Sequence, residues 1–313
     1  MEIQQDFTDA HDLIIQSKNI LLTTHESTDG DDFGTVSALA LYIQSLGRQA
    51  TFAINGDIPK QLSYLPTASW QLATQDTGFD LVIASGCSNK KRINIPWIEA
   101  LEKPFINFDH HIDNTRYGTV NVVDAAKSSV AELVYDFFKF LKVAITSQMA
   151  TCMLTGIFTD TGSFMHSSTQ SSTYVAAGEL LKLGANMPKI ARWNYKNKTK
   201  RVLKAWGQVI QDAQINPKNN LIFSAIPREG NPLPNSSYEG LVETLVKAEE
   251  AKFSLLLKED GEFVKGSLRS DPHKNIDVQK IASKMGGGGH KWASGFKLKA
   301  KLKKTDKGFR VEK

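Results

Sequence analysis

Short, almost wholly apolar runs alternate with helix-spaced segments through the first half of this chain. NILLTTH (19–25) reads as a buried strand and TVSALALYIQSLG (35–47) as a helix closed by Gly47. QATFAIN (49–55), DLVIAS (80–85) and KPFINFDHH (103–111) read as further strands, and SVAELVYDFFKFL (129–141) as an amphipathic helix. Continuous apolar strands alternating with helices predict an α/β domain with a parallel sheet covered on both faces. Such sheets collect their chemistry at the carboxyl ends of the strands.

From Met187 to Ile215 the pattern turns polar, basic and helical, which predicts a linker helix over 187–215 between a first domain (1–186) and a second (216–313). The second reads as a smaller α+β unit. LIFSAIP (221–227) predicts a strand, SSYEGLVETLVKAEE (236–250) a helix, and FSLLLKED with GEFVKGSLRS a hairpin. DVQKIASKM predicts a helix that runs into GGGGH (286–290), and KLKAKLKK (297–304) a strand with its lysines outward.

Charge adds an asymmetry. The net charge is +5, but 250–313 holds 16 basic and 8 acidic residues, hence +8, which leaves −3 for the rest. A basic second domain beside a slightly acidic first one suits a phosphate-rich ligand. No apolar run is long enough to predict a membrane span, and the polar, acidic N-terminus predicts no secretory signal. Cys87 and Cys152 are too few for a disulfide framework or a thiolate zinc site, so the expected compartment is the cytosol.

Three acidic and histidine clusters each follow an apolar segment: His25, Asp29 and Asp31; Asp109, His110 and His111; and Asp160. An isolated aspartate after a strand is usually a helix cap. Gathered at one sheet edge, so many donors would repel one another unless cations neutralised them. Carboxylates with imidazoles and no thiolate suit Mn²⁺, Mg²⁺ or Fe²⁺ better than structural zinc. In the second domain, Gly286, Gly287, Gly288 and Gly289 would let backbone amides approach an anionic or planar ligand. His290 lies beside them, and Arg269 offers a planar fork for a phosphate or a base.

HESTDGD (25–31), FDHHIDN (108–114) and FTDTGSF (158–164) together resemble motifs of the DHH phosphoesterases. SLRS (267–270) and GGGGHKWASG (286–295) resemble the substrate-binding domain that accompanies them. The resemblance covers nearly the whole chain and is to the stand-alone branch that degrades nanoRNA and dephosphorylates 3′-phosphoadenosine-5′-phosphate. It implies two-metal hydrolysis, with Mn²⁺ the expected ion. His25 and Asp29 would bind one ion, and Asp31, His110 and Asp160 the other. His111 would face the substrate phosphate or leaving oxygen, Asp109 would orient the histidines, and Asn114 and Arg116 would help hold phosphate. A short RNA or dinucleotide is the implied substrate, and a homodimer the implied assembly.

One position departs from the pattern. The family's second motif is an aspartate that serves both metals at the end of the third apolar strand, and here that position is Gly86 in DLVIASGCS. Asp32 is an extra carboxylate whose side chain should point differently from that of Asp31. A chain that hydrolyses short nucleic acids, with Asp32 or water filling the gap, stands against a catalytically impaired relative that only binds nucleotides.

Overall fold

The computed structural model describes residues 2–66, 71–195, 198–229, 233–305 and 308–312, and the chain divides into two compact units, 1–197 and 198–313. The first contains α1 (Glu2–Gln16), β1 (Asn19–Thr24), α2 (Gly30–Ser45), β2 (Gln49–Ala53), β3 (Gln71–Leu72), β4 (Leu81–Ser85) and α3 (Pro96–Glu99). It continues with β5 (Phe105–Asp109), β6 (Val120–Val123), α4 (Val130–Phe140), α5 (Ser147–Asp160), α6 (Ser171–Lys182) and α7 (Met187–Tyr195).

Among the described residues the sheet has the order β3-β2-β1-β4-β5-β6, with every pair parallel. The strand order reverses between β1 and β4, so the crevice of this sheet opens at their carboxyl ends, beside that of β5. β4 and β5 are buried at every position, which is why apolar residues occupy both faces of each; Ser85, Asn107 and Asp109 are their buried polar residues. The larger core packs α1, α2, α4 and α5 on one face through Phe7, Phe33, Leu39, Phe137, Phe138 and Ile157. The other face is covered by Phe79, Ile93 and Ile98 around Leu21, Val82 and Phe105.

The second unit contains α8 (Lys200–Gln211), β7 (Gln214–Asn216), β8 (Leu221–Ile226), α9 (Leu241–Leu245), β9 (Phe253–Asp260) and β10 (Phe263–Ser270). After these come α10 (Val278–Lys284), β11 (Gly288–His290), β12 (Ala293–Lys299), β13 (Lys301–Thr305) and β14 (Gly308–Glu312). Its described strands form one sheet in the order β11-β12-β10-β9-β8-β7, with only β8 and β9 parallel, and a separate β13-β14 ribbon. No helix among the described residues is long and apolar enough to cross a membrane.

Two expectations change. The stretch expected as one linker helix holds two helices and the strand β7, with 196–197 outside the described residues. Thr199 starts α8 afresh by accepting from the Val202 amide, so each helix belongs to its own unit. The helix expected over 236–250 is replaced by a 3₁₀ turn (Asn235–Tyr238) and the short α9, which Gly240 separates by taking a left-handed φ of 85° immediately before α9.

Candidate metal centre

The site is built around the first turn of α2. β1 delivers His25 at its carboxyl end, and the chain then turns into Asp29, the cap of α2. Asp29 Oδ1 accepts from the amides of Asp31 (2.9 Å) and Asp32 (3.1 Å). This cap fixes the start of the helix, and a helix terminus rich in unpaired N–H groups favours acidic side chains there. Consecutive helical residues diverge, so the next two carboxylates take different directions. Asp31 turns to the N-terminus of α4, accepting from Val130 N at 2.7 Å and Ala131 N at 2.9 Å. Asp32 turns to the sheet, with its Oδ2 2.7 Å from His25 Nε2.

The carboxyl end of β5 supplies the next three residues. Asp109 is fully buried, and its Oδ1 accepts from His110 N at 2.8 Å and His111 Nδ1 at 2.6 Å. Burial alone would raise its pKa, but the His111 and Asn114 hydrogen bonds hold it below the usual carboxylate range. His110 donates Nδ1–H to the Lys127 carbonyl at 3.1 Å, which leaves its Nε2 as the ligand atom, 3.5 Å from Asp160 Oδ2. Asp160 is the last residue of α5.

Two donor groups result: His25, Asp29 and Asp32, and Asp31, His110 and Asp160, each with ligand atoms within 4.8 Å of one another. Enclosure by its neighbours, then the Asp32 and Asp160 charges, push the Asp29 carboxyl up, although its side chain keeps 54% of its surface exposed. Burial followed by the same crowding raises Asp31 and, with partial relief from His110, Asp160. Carboxylates that raise one another's pKa in this way gain when a cation replaces their protons. The donor set of oxygens and imidazoles therefore fits divalent cations of the manganese or magnesium kind.

The comparisons with known proteins agree with this geometry. The model of the DHH family, N-terminal domain, matches residues 19–157, and that of the DHHA1 domain matches 219–307. The bifunctional oligoribonuclease and PAP phosphatase NrnA of Thermus thermophilus is 31% identical over 285 residues, 90% of this chain and 84% of that protein. This chain belongs to the DHH family. Among solved structures, an exopolyphosphatase-related protein from Bacteroides fragilis superposes with a TM-score of 0.86 at 23% identity, over 94% of this chain and 91% of that one. RecJ from Thermus thermophilus, in complex with Mn²⁺, gives 0.56 at 15% identity, over 94% of this chain and 51% of that one.

All five residues expected to ligate metal in this DHH chain lie in the two groups, and Asp32 joins them. Asn114 differs from the expectation of a phosphate contact. Its amide donates inward to Asp109 Oδ2 and to the Cys87 carbonyl, and its Oδ1 accepts from Arg116 N, because Asp109 needs a donor on its second oxygen. Arg116 itself is exposed. Two further residues escaped the sequence reading. Arg92 lies close enough for its charge to act on both His25 and His111. Glu132, 1% exposed, accepts from Ser128, Ser172 and Thr173 and so anchors the start of α4, whose amides hold Asp31. The run KKR (90–92) after β4 was a signal for the first; a lone glutamate in an apolar helix gave little for the second.

In the DHHA1 unit, Arg269 lies on β10, with Nε 2.8 Å from Glu243 Oε1. Register places Lys265 opposite Lys258 and Lys297, and side chains two positions apart share a face, so these lysines and Arg269 line one face of β9, β10 and β12. The second half of the glycine run is strand rather than loop: β11 pairs Gly288 with Gly295 and Gly289 with Ser294. His290 pairs with Ala293, which also pairs with Arg269, so the backbone at 290 is in line with that arginine; the side chain of His290 is not among the described ones.

Proposed function

We propose that the chain is a metal-dependent phosphoesterase that hydrolyses short oligoribonucleotides and dinucleotides to mononucleotides and also acts on 3′-phosphoadenosine-5′-phosphate. The observation that carries this is the pair of donor groups served by consecutive residues of one helix turn. His25 and Asp29 would hold one ion, and Asp31, His110 and Asp160 the other, with Mn²⁺ the favoured metal. Bound together, such cations supply a nucleophilic water near neutral pH and charge stabilisation for the phosphoryl oxygens.

The chain's own residues do the rest. Asp109 presents His111 with Nδ1 as donor, so the opposite edge of the ring is directed to the substrate phosphate or the departing oxygen. Arg92 adds positive charge near these histidines, where a phosphate would sit. In the second unit, Arg269 and the row of lysines beside it offer donors for a terminal phosphate, and β11 offers exposed strand backbone. The names of the relatives at 25–31% identity, bifunctional oligoribonucleases and PAP phosphatases, support this choice of substrates. The test is incubation with 5′-phosphorylated diadenosine (pApA) or 3′-phosphoadenosine-5′-phosphate and Mn²⁺. AMP release that chelator abolishes supports the reading; nucleotide binding without hydrolysis would favour the catalytically impaired alternative that Gly86 raises.

A further inference from the structure

The carboxylate of Asp32 occupies the space that a side chain at position 86 would fill. Asp32 is 2% exposed, its Oδ2 lies 2.7 Å from His25 Nε2, and its Oδ1 accepts from Ser85 Oγ at 3.4 Å. Gly86 follows Ser85 at the carboxyl end of β4 with a φ of 64°. A Cβ built on it would stand 1.8 Å from Asp32 Oδ1, 2.7 Å from Cγ and 3.1 Å from Oδ2. No side chain at 86 and the carboxylate of Asp32 can share that volume.

The two positions approach this point from opposite sides. Gly86 comes from the sheet, at the point where the strand order reverses, and Asp32 comes from the first turn of the helix above it. Asp32 brings a negative charge to within ligand distance of His25 and Asp29. Burying that charge is costly unless a partner neutralises it. His25 is one such partner, through Nε2, and a cation held among His25, Asp29 and Asp32 would be a stronger one.

We propose that Asp32 is a metal ligand which supplies, from α2, the carboxylate that Gly86 cannot supply from β4. The carboxylate is relocated across the crevice and the glycine is required by its new position. This rests on the metal-dependent reading above and explains how the centre keeps its charge despite the glycine. Gly86→Asp alone therefore adds no working ligand: the new side chain meets Asp32 and adopts a left-handed backbone.

Calorimetric titration of the full chain with Mn²⁺ reads ion number and affinity without recourse to turnover. We compare the wild type, Asp32→Asn, Gly86→Asp, and Gly86→Asp combined with Asp32→Ala, with circular dichroism to check folding. The wild type is expected to take up a pair of ions, and Asp32→Asn to weaken one by at least ~10-fold, the loss that even a supporting partner of a ligand can produce. The double variant, with space for the aspartate at 86, should bind better than either single variant. Asp32→Asn that binds Mn²⁺ like the wild type would overturn the relocation and leave the phosphoesterase reading standing. A wild type that takes up no Mn²⁺ would overturn both.

Discussion

His111 Nδ1 lies 2.6 Å from Oδ1 of Asp109, a carboxylate with no exposed surface that also accepts the backbone amides of His110 and His111. One buried carboxyl thus sets the ring orientation and the proton position of His111 and fixes the backbone that carries His110. For His111, burial would lower the pKa, and the Asp109 hydrogen bond more than offsets this and raises it.

Asp109→Asn keeps the shape but removes the charge. The catalytic rate is expected to fall ~10–100-fold, as for other partners that orient metal-centre ligands. Because Asp109 raises His111, the limb of the pH–rate profile set by His111 should move to lower pH in the variant. An unmoved limb with a lowered rate would assign Asp109 a purely structural role.

Metal binding should depend on pH in a defined sense. Asp29, Asp31 and Asp160 are all raised in the metal-free fold, Asp29 to about 7. Their protonated forms stabilise the metal-free fold below the ordinary carboxylate range, and that stability is lost as pH rises through the raised values. A cation takes the place of those protons. The gain in melting temperature on adding Mn²⁺ should therefore widen between about pH 5 and 7.5. A gain that stays constant over this window would contradict the crowding of these three carboxyls.

Glu132 has the opposite sign. Burial would raise it, but hydrogen bonds from Ser128, Ser172 and Thr173 hold it below its ordinary value. Its stabilisation is present above the ordinary glutamate range and is lost as pH falls through the depressed value. Glu132→Gln should cost roughly 2–4 kcal/mol near neutrality, since an amide cannot accept all these bonds. The deficit should shrink in acid, and denaturant titration at two pH values measures both.

In the second unit, neighbouring glycines separate fold from binding. A Cβ at Gly287 would come 2.0 Å from the Gly295 carbonyl, whereas one at Gly288 meets nothing within 4 Å. Gly287→Ala should destabilise the unit; Gly288→Ala should fold normally but raise KM for pApA if the strand backbone approaches substrate. Arg269→Ala should also raise KM more than it lowers kcat, as expected for a contact made equally to ground and transition states. Unchanged KM in both Gly288→Ala and Arg269→Ala would remove this face from the substrate site.

The strands of the first sheet were legible because β1, β4 and β5 are buried on both faces and so carry apolar residues at adjacent positions. That same pattern located His25, Asp109, His110 and His111 at strand ends. α2 begins earlier than its apolar periodicity, at Gly30, because the Asp29 cap extends it through two aspartates that no hydrophobic pattern marks. Asp31 and Asp32 do diverge, as adjacent helical positions must, but the destination of each depends on tertiary partners: the α4 amides for one, and the space over Gly86 for the other. The inward turn of Asn114 was equally hidden, since its partner Asp109 is five residues away and visible only once the loop is folded. The helix α1 precedes any recognisable motif, and its contribution is packing, through Phe7 and Ile14.

The most direct test of metal-dependent hydrolysis is AMP release from pApA by the wild-type chain in Mn²⁺, followed by chromatography beside His110→Ala and a chelator control. Release should need the cation and disappear with chelator and in the variant. Release that survives both, or none from a wild type shown to bind Mn²⁺, would contradict it.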